Sequence, residues 1–569
     1  MFLAGAMVLS LLTVGASAED SMTPMTMGGM NMKMTLPPMP AVYGGQADKP
    51  GAPVFEGLGD HHHPITTSVP QTQMFFDQGV RLLFGFNHAE AIRSFREAAR
   101  LDPDCAMCWW GVAFALGPNI NLAMQPDAVA PAYAALQMAR ALEPHASAEE
   151  RAWIEALAKR YAASPPADRH GLDEAFALAM GELWKSYPAD LDAGVFYAEA
   201  MMDTQPWDYW QADGITPKGH APEIVSTLEE ILKPEPRHPG ALHLYIHAVE
   251  ATTTPERAEH AADLLEPLMP GAGHIVHMPS HIYYRVGRYE DAVKVNEAAA
   301  KMDEQYIATC KAQGYYPLGY YTHNLHFLWT SSAMMGRRTA AFDAARRVLA
   351  AASLGASQAA KLPPIQLYLF VPIVTDIRFG DWKRALAEPL PSPDLKLDVA
   401  MARYARGFAF ANERKPKAAK REAEALRAML AARELANVDQ FIPGTQMARI
   451  GLALLEGEIL RHSGRLDNAI TKFREAAQLE HNIPYTEPPY WHEPVSHILG
   501  AALIEARRPA EAEAVYRESL MTYRIDGWAL YGLAQSLDAQ GKRSEAEEAR
   551  QQFAKAWSLA DTKITASRF

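Results

Sequence analysis

The feature that most constrains this chain is an alanine that returns after 34 residues. Ala258 and Ala292, Ala385 and Ala419, and Ala512 and Ala546 are each separated by that step. A glycine stands five residues ahead of the alanine at Gly287, Gly336, Gly380, Gly464 and Gly541. Gly79, Ala91, Phe95 and Ala98 lie at offsets of 12, 16 and 19 from the glycine, and Gly457, Ala469, Phe473 and Ala476 repeat those offsets. Small residues at these offsets read as helices that repeat. The alanines and glycines let the helices of one unit approach closely, and bulky residues such as Phe95, Phe473 and Tyr516 fill the gap to the next unit. No such unit buries its apolar face alone, so neighbours must stack.

This pattern resembles the tetratricopeptide repeat, over most of residues 71–569 and most clearly at both ends and across 239–305. The resemblance implies an all-α solenoid of stacked helical hairpins, with a concave surface that binds a protein or peptide partner. We expect an N-terminal solenoid at 71–355 and a C-terminal one at 356–569. The step from Ala292 to Ala341 is 49, which leaves an insert holding Tyr306, Cys310, Tyr315, Tyr316, Tyr320 and Tyr321. These tyrosines read as packing residues. The insert, the stretch 205–220 (QPWDYWQADGITPKGH) and 484–494 (PYTEPPYWHEP) read as loops between units, able to close over a cavity.

Ahead of the repeats the chain changes character. Residues 1–18 carry an apolar run and the small-residue site Ala16-Ser17-Ala18, the pattern of an export signal, although the usual basic start is missing. The expected location is therefore periplasmic or secreted, with no membrane span once the signal is removed. Residues 19–70 show neither helical nor strand period and are expected to be disordered. Met25, Met27, Met30, Met32 and Met34 crowd this arm, followed by His61, His62 and His63. Thioethers are soft ligands that suit Cu(I), and their alternate spacing lets one flexible segment supply several sulfurs. The arm resembles the methionine-rich segments of periplasmic copper-handling proteins, which implies an accessory metal-binding role. A plain linker with incidental methionines is the alternative.

Cys105 and Cys108 form a CxxC, with Cys310 far away. In an oxidising compartment the close pair is expected as a disulfide. Trp109 follows it, so this is no haem attachment site.

Eight of the chain's 20 histidines fall between 243 and 326, and the repeat gives all of them but His260 a register. His243, His277, His326 and His497 each stand 15 residues before a marker alanine; His247 and His281 stand 11 before, His274 and His323 18 before. Residues three or four apart share a helix face, so His243, His247 and Glu250 make one stripe and His323 and His326 another. Packed helices lie about 8–10 Å apart, close enough for equivalent rings to share a site. Pro279 starts a new helix, leaving His274 and His277 in the preceding loop. The recurrence points to a transition-metal site drawn from His243, His247, Glu250, His274, His277, His281, His323, His326 and His497, with copper favoured over zinc. Glu250 is a ligand or supports one. Hydrogen bonding between units, or recognition of an acidic partner, is the non-metal alternative. His88 is expected to cap or bond locally. His145, His170, His220, His238, His260, His462 and His481 form no constellation.

The net charge of −13 excludes the basic face of a nucleic-acid binder. There is no phosphate-binding glycine loop and no G-x-S-x-G elbow. Catalysis stays open, since a metal with a vacant coordination position needs no nucleophile motif. The two functional readings are an exported solenoid that binds a metal, extending to a metal-dependent enzyme, and a periplasmic protein- or peptide-binding scaffold without one.

Overall fold

The structure is a computed structural model and describes residues 36–569. The expected export signal and the methionines 25–34 lie outside the described residues. Among the described residues the chain is helical, with only two isolated β-bridges. No helix among them is long and apolar enough to cross a membrane.

The chain forms two compact units. The first runs up to Pro279 and takes in Ala298–Tyr321; the second comprises Ser280–Glu297 and Thr322–Phe569. This boundary does not coincide with a division after residue 355. The reason lies in the tyrosine-rich insert, whose side chains bond to the first unit. Tyr306 Oη donates to the side chains of Asn87 and Glu90, and Tyr315 Oη to the Asn121 carbonyl.

In the first unit the helices are α1 (Pro70–Phe84), α2 (His88–Leu101), α3 (Ala106–Ala115), α4 (Val129–Ala141), α5 (Ala148–Leu157), α6 (His170–Ser186), α7 (Leu191–Thr204), α8 (Ala221–Leu232), α9 (Pro239–Val249), α10 (Glu259–Leu265) and α11 (Gly273–His277). Neighbours pack as hairpins, α1 on α2, α3 on α4, α6 on α7 and α8 on α9. Helices α12 (Pro279–Val286) and α13 (Tyr289–Cys310) follow, then a π-helical turn at Pro317–Tyr321. The second unit continues with α14 (Thr322–Met334) against α15 (Arg338–Ser353), then α16 (Gln366–Leu369), α17 (Val371–Arg378) and α18 (Trp382–Ala387). Four more hairpins complete it: α19 (Lys396–Asn412) with α20 (Pro416–Ala431), α21 (Gly444–His462) with α22 (Leu466–His481), α23 (Val495–Glu505) with α24 (Pro509–Thr522), and α25 (Gly527–Ala539) with α26 (Arg543–Ala556). The all-α, tetratricopeptide-like solenoid of stacked hairpins is thus the fold.

The repeat landmarks have physical roles. Ala91, Ala258, Ala292, Ala341, Ala385, Ala419, Ala469, Ala512 and Ala546 are all fully buried. Phe95, on α2, wedges between Gly79 of α1 and Gly111 of α3: a Cβ at either glycine would overlap its ring. Phe473 sits against Gly457 in the same way, and Tyr516 against Gly500 and Gly532. The residue five before each marker alanine except Ala258 ends a helix in the left-handed conformation, which costs a non-glycine residue about 1–2 kcal/mol. Gly287, Gly336, Gly380, Gly464 and Gly541 have φ of 84°, 65°, 70°, 76° and 74°. At the equivalent turns Phe86, Arg414 and Arg507 hold the same conformation without glycine, at 52°, 59° and 57°.

Cys105 and Cys108 are joined by a disulfide at the start of α3. Residues 36–69, expected to be disordered, are instead ordered against the first unit. They bury Met39, Val42, Tyr43, Ala47 and Leu58. Tyr43 Oη donates to the Ala115 carbonyl, Gln46 Nε2 to Glu90, the Phe55 N–H to Gln78, and the Thr66 N–H to Glu150. Composition and period miss this because most of the partners lie tens of residues away rather than in a local ladder.

Two stability changes follow. Phe95→Ala empties the wedge and lowers unfolding free energy by about 3–5 kcal/mol. Arg414→Gly, at an exposed left-handed turn, raises it by roughly 0.5–1 kcal/mol. Denaturant titration of the full chain followed by circular dichroism measures both.

Candidate functional site

Helix α9 presents His243 and His247 one turn apart, and α11 brings His274 beside them. One ring nitrogen from each lies within 4.8 Å of the others. Ring centroids are 4.9 Å apart for His243 and His247 and 5.0 Å for His243 and His274. The three side chains are buried.

Two of the rings are held by their far nitrogens. His243 Nδ1 lies 2.6 Å from the carbonyl oxygen of Phe84, the last residue of α1. A carbonyl only accepts, so His243 carries its proton on Nδ1 and its lone pair on Nε2. His247 Nδ1 lies 2.8 Å from Oε1 of Glu250, which is fully buried just past the end of α9. An ionised carboxylate fixes the same tautomer. With Nδ1 of both rings engaged, Nε2 is the atom that each would offer a metal, the arrangement that carbonyl and carboxylate partners give metal-binding histidines. Glu250 is thus placed to orient His247.

Aromatic rings wall the group. Phe86 lies 4.6 Å from His243, 5.4 Å from His274 and 6.4 Å from His247, centroid to centroid. Tyr320, on the π-helical turn of the insert, lies 4.7 Å from His274. Trp207, from the 205–220 stretch, meets His247 edge-on at 5.0 Å and is 45% exposed. Phe86 and Trp207 both have left-handed backbone, with φ of 52° and 63°. Bulky residues in that region persist where the surroundings over-determine them, commonly at functional sites. Phe86 stands where most other repeats have glycine.

The remaining register histidines are distributed differently. His277 is buried beside His274, 5.8 Å between centroids. Both belong to the short helix α11 rather than to a loop, because the chain completes a turn before Pro279 opens α12. In the second unit His281 and His323 face each other, Nε2 to Nε2 3.4 Å, with Phe327 against both. His326 stacks on Trp329 and meets Tyr368 edge-on. Burial pushes its pKa down to about 3, so it is a neutral packing ring. His497 is buried and paired through Nε2 with Asp526, which caps α25. Register alone put these rings on equivalent faces, but the neighbouring side chains decide what each one meets.

A second cluster escaped the sequence reading. His61 Nε2 lies 3.1 Å from Asp192 Oδ1, His63 Nδ1 2.7 Å from Oδ2, and His238 Nε2 3.0 Å from Oδ1. His62 points elsewhere, its Nδ1 2.9 Å from Asp77, and is largely exposed. Burial pushes the Asp192 carboxyl up, but the imidazoles of His238, His61 and His63 outweigh it and hold it well below the usual carboxylate range. Burial opposes charge on His63, yet Asp192 holds its pKa above the ordinary value. Only the His61-x-His63 spacing was visible in sequence. Asp192 and His238 are 131 and 177 residues from His61 (192 − 61 and 238 − 61) and share no repeat position with it. His88, expected to cap or bond locally, instead bonds across the fold: its Nδ1 meets the Ala115 carbonyl on α3, and burial pulls its pKa to about 4.

No protein-family model and no curated protein matches the chain. Among solved structures it is similar to the human IFIT1 dimer with m7Gppp-AAAA (11% identity, TM-score 0.31, 87% of this chain and 91% of that one). It is similar also to the APC/C hetero-tetramer Cut9-Hcn1 (13%, 0.22, 87% and 89%) and to yeast Tom70 (11%, 0.28, 86% and 92%). At these identities and scores the likenesses carry no weight for function, and the fold assignment stands on the hairpin packing itself.

His326 gives a pH prediction. Its folded pKa lies below the unfolded value of about 6.5, so the unfolded state takes up the proton first. Its contribution to stability is present above about pH 6.5 and is lost as pH falls toward about 3. His326→Phe should therefore be less acid-sensitive than the parent across that window, with an unchanged midpoint at pH 7.5. Thermal unfolding at stepped pH checks it.

Proposed function

We propose that this tetratricopeptide-type chain is an exported metal-binding protein. In this reading His243, His247 and His274 of the first unit hold one transition-metal ion, copper in preference to zinc. The observation that carries the reading is the pair of Nδ1 anchors, the Phe84 carbonyl and the Glu250 carboxylate, on two buried imidazoles that, with His274, each bring one ring nitrogen within 4.8 Å of the others. Bonds of about 2.0–2.1 Å put ligand nitrogens roughly 3.4 Å apart. The three nitrogens, now within 4.8 Å, would close by small ring movements.

Imidazole suits copper, zinc, iron and nickel alike. The preference for copper comes from the sequence, where Met25, Met27, Met30, Met32 and Met34 offer soft donors that would capture Cu(I) and pass it on. Three protein ligands leave a fourth position for a small molecule, the condition for metal-assisted chemistry. Phe86, Tyr320 and Trp207 would keep that position dry. No substrate is assigned.

Full-length protein purified without a polyhistidine tag should retain copper that is lost in the His243→Ala/His247→Ala/His274→Ala variant. Metal at 100 times its Kd should stabilise the parent by about 2.7 kcal/mol. Glu250→Gln should weaken binding by about 10–100-fold. Equal copper in the parent and the triple variant, with no rise in thermal midpoint, would leave the protein- or peptide-binding scaffold as the better description.

A further inference from the structure

We infer that His61, His63, Asp190 and Asp192 form a second, separate cation site of the zinc type, which latches the segment ahead of α1 onto the first unit. It does not depend on the copper reading.

The donor atoms lie in two overlapping groups. His61, Asp192 and His238 bring one candidate ligand atom each within 4.8 Å of one another, and so do His63, Asp190 and Asp192. Asp192 is common to both groups and buried, with His61 Nε2 and His63 Nδ1 at 3.1 and 2.7 Å from its two oxygens. Ligands of a tetrahedral zinc stand roughly 3.3 Å apart when bonds are about 2.0–2.1 Å. Admitting an ion widens the imidazole–carboxylate spacings by a few tenths of an ångström, while His61 and Asp190, which belong to different groups, move in toward it.

Hydrogen bonding sorts ligand from support. His238 caps α9, its Nδ1 accepting the Ala241 N–H at 3.3 Å. Its proton is then on Nε2, which donates to Asp192 Oδ1 at 3.0 Å. A protonated nitrogen is no ligand, so His238 is a positioning residue that orients Asp192. His61 Nε2 and His63 Nδ1 also bond Asp192, but neither ring has its other nitrogen held as an acceptor, so each can shift its proton there and turn a lone pair to an ion. Asp190 caps α7 by accepting the Ala193 N–H and also accepts from Trp153 Nε1, which fixes it beside Asp192.

Charge balance points the same way. Asp190 and Asp192 stand two residues apart at the start of α7, and Glu149 interacts with Asp190. Phe84 lies 5.2 Å from the ring of His61 and Trp153 5.5 Å from that of His63, excluding water on those sides. Two carboxylates and two imidazoles in such a place suit a divalent cation. Mixed nitrogen and oxygen donors suit zinc rather than Cu(I). Binding would displace the protons that now bridge imidazole and carboxylate, so uptake releases protons.

The latch has a structural consequence. Both histidines belong to the strand of chain whose Gly57 carbonyl accepts the Gly271 N–H at 2.8 Å, and whose His61 carbonyl accepts from Arg81. Closing the site would fix residues 57–63 over the turn that leads into α11.

The test uses the untagged full chain with zinc alone, in a His243→Ala/His247→Ala background that removes the copper site. That protein should keep one zinc equivalent, and zinc should slow protease cleavage within residues 50–69 by about tenfold, as expected when a ligand binds only the closed form. His61→Gln/His63→Gln should abolish both effects. Should the background variant fail to fold, the same His61→Gln/His63→Gln change in the parent must lower zinc content by one equivalent with helical circular dichroism intact. No zinc in the background variant, or zinc and protection unaffected by the His61/His63 change, overturns the proposal. Zinc retained in a parent protein that binds no copper would sink only the copper reading.

Discussion

An aromatic ring set against a glycine of a neighbouring helix is the contact on which the rest depends. Phe95 between Gly79 and Gly111, Phe473 against Gly457, and Tyr516 between Gly500 and Gly532 are one device used three times. It fixes how closely neighbouring helices approach, and the buried marker alanines keep that distance along each hairpin. Because the left-handed turn recurs five residues before the alanine, each new helix starts at a defined angle. Side chains at equivalent register positions then emerge on equivalent faces, which is why recurring histidines could be noticed in the sequence at all.

The candidate site is built where that regularity is broken. Phe86 takes a turn that glycine holds in most repeats, accepts a left-handed backbone, and lays its ring over His243 and His274. Trp207 does likewise from an irregular loop, and Tyr320 arrives from a π-helical turn in the long insert. Each departure carries a conformational cost and brings an aromatic wall to the same three imidazoles. The anchors on His243 and His247 come from outside the repeat pattern too: a carbonyl at the end of α1 and a carboxylate past the end of α9.

Much of the fold was legible because it is written in spacing. The alanine step, the preceding glycine and the aromatic wedge gave hairpins with the correct turns, and the i, i+4 relation of His243 and His247 put them on one face. What spacing does not encode is which distant group meets which. His326 shares the register of His243 yet stacks on Trp329, and His497 shares it yet pairs with Asp526. His61 and His63 were visible as a pair, while Asp192 and His238 were not, since their meeting is decided by the packing of α7 and α9. The ordered path of residues 36–69 was hidden for the same reason. A chain without local period is held there by Gln78, Glu90, Glu150 and other side chains of the folded unit.

The account turns on whether anchored imidazoles of one unit converge on an ion. X-ray absorption of the untagged full chain carrying one equivalent of copper tests that most directly. Three imidazole nitrogens at about 2.0 Å, reduced when His274 is replaced by alanine, is the predicted first coordination sphere. A sphere made only of sulfur, or one unchanged by the loss of His274, would contradict it.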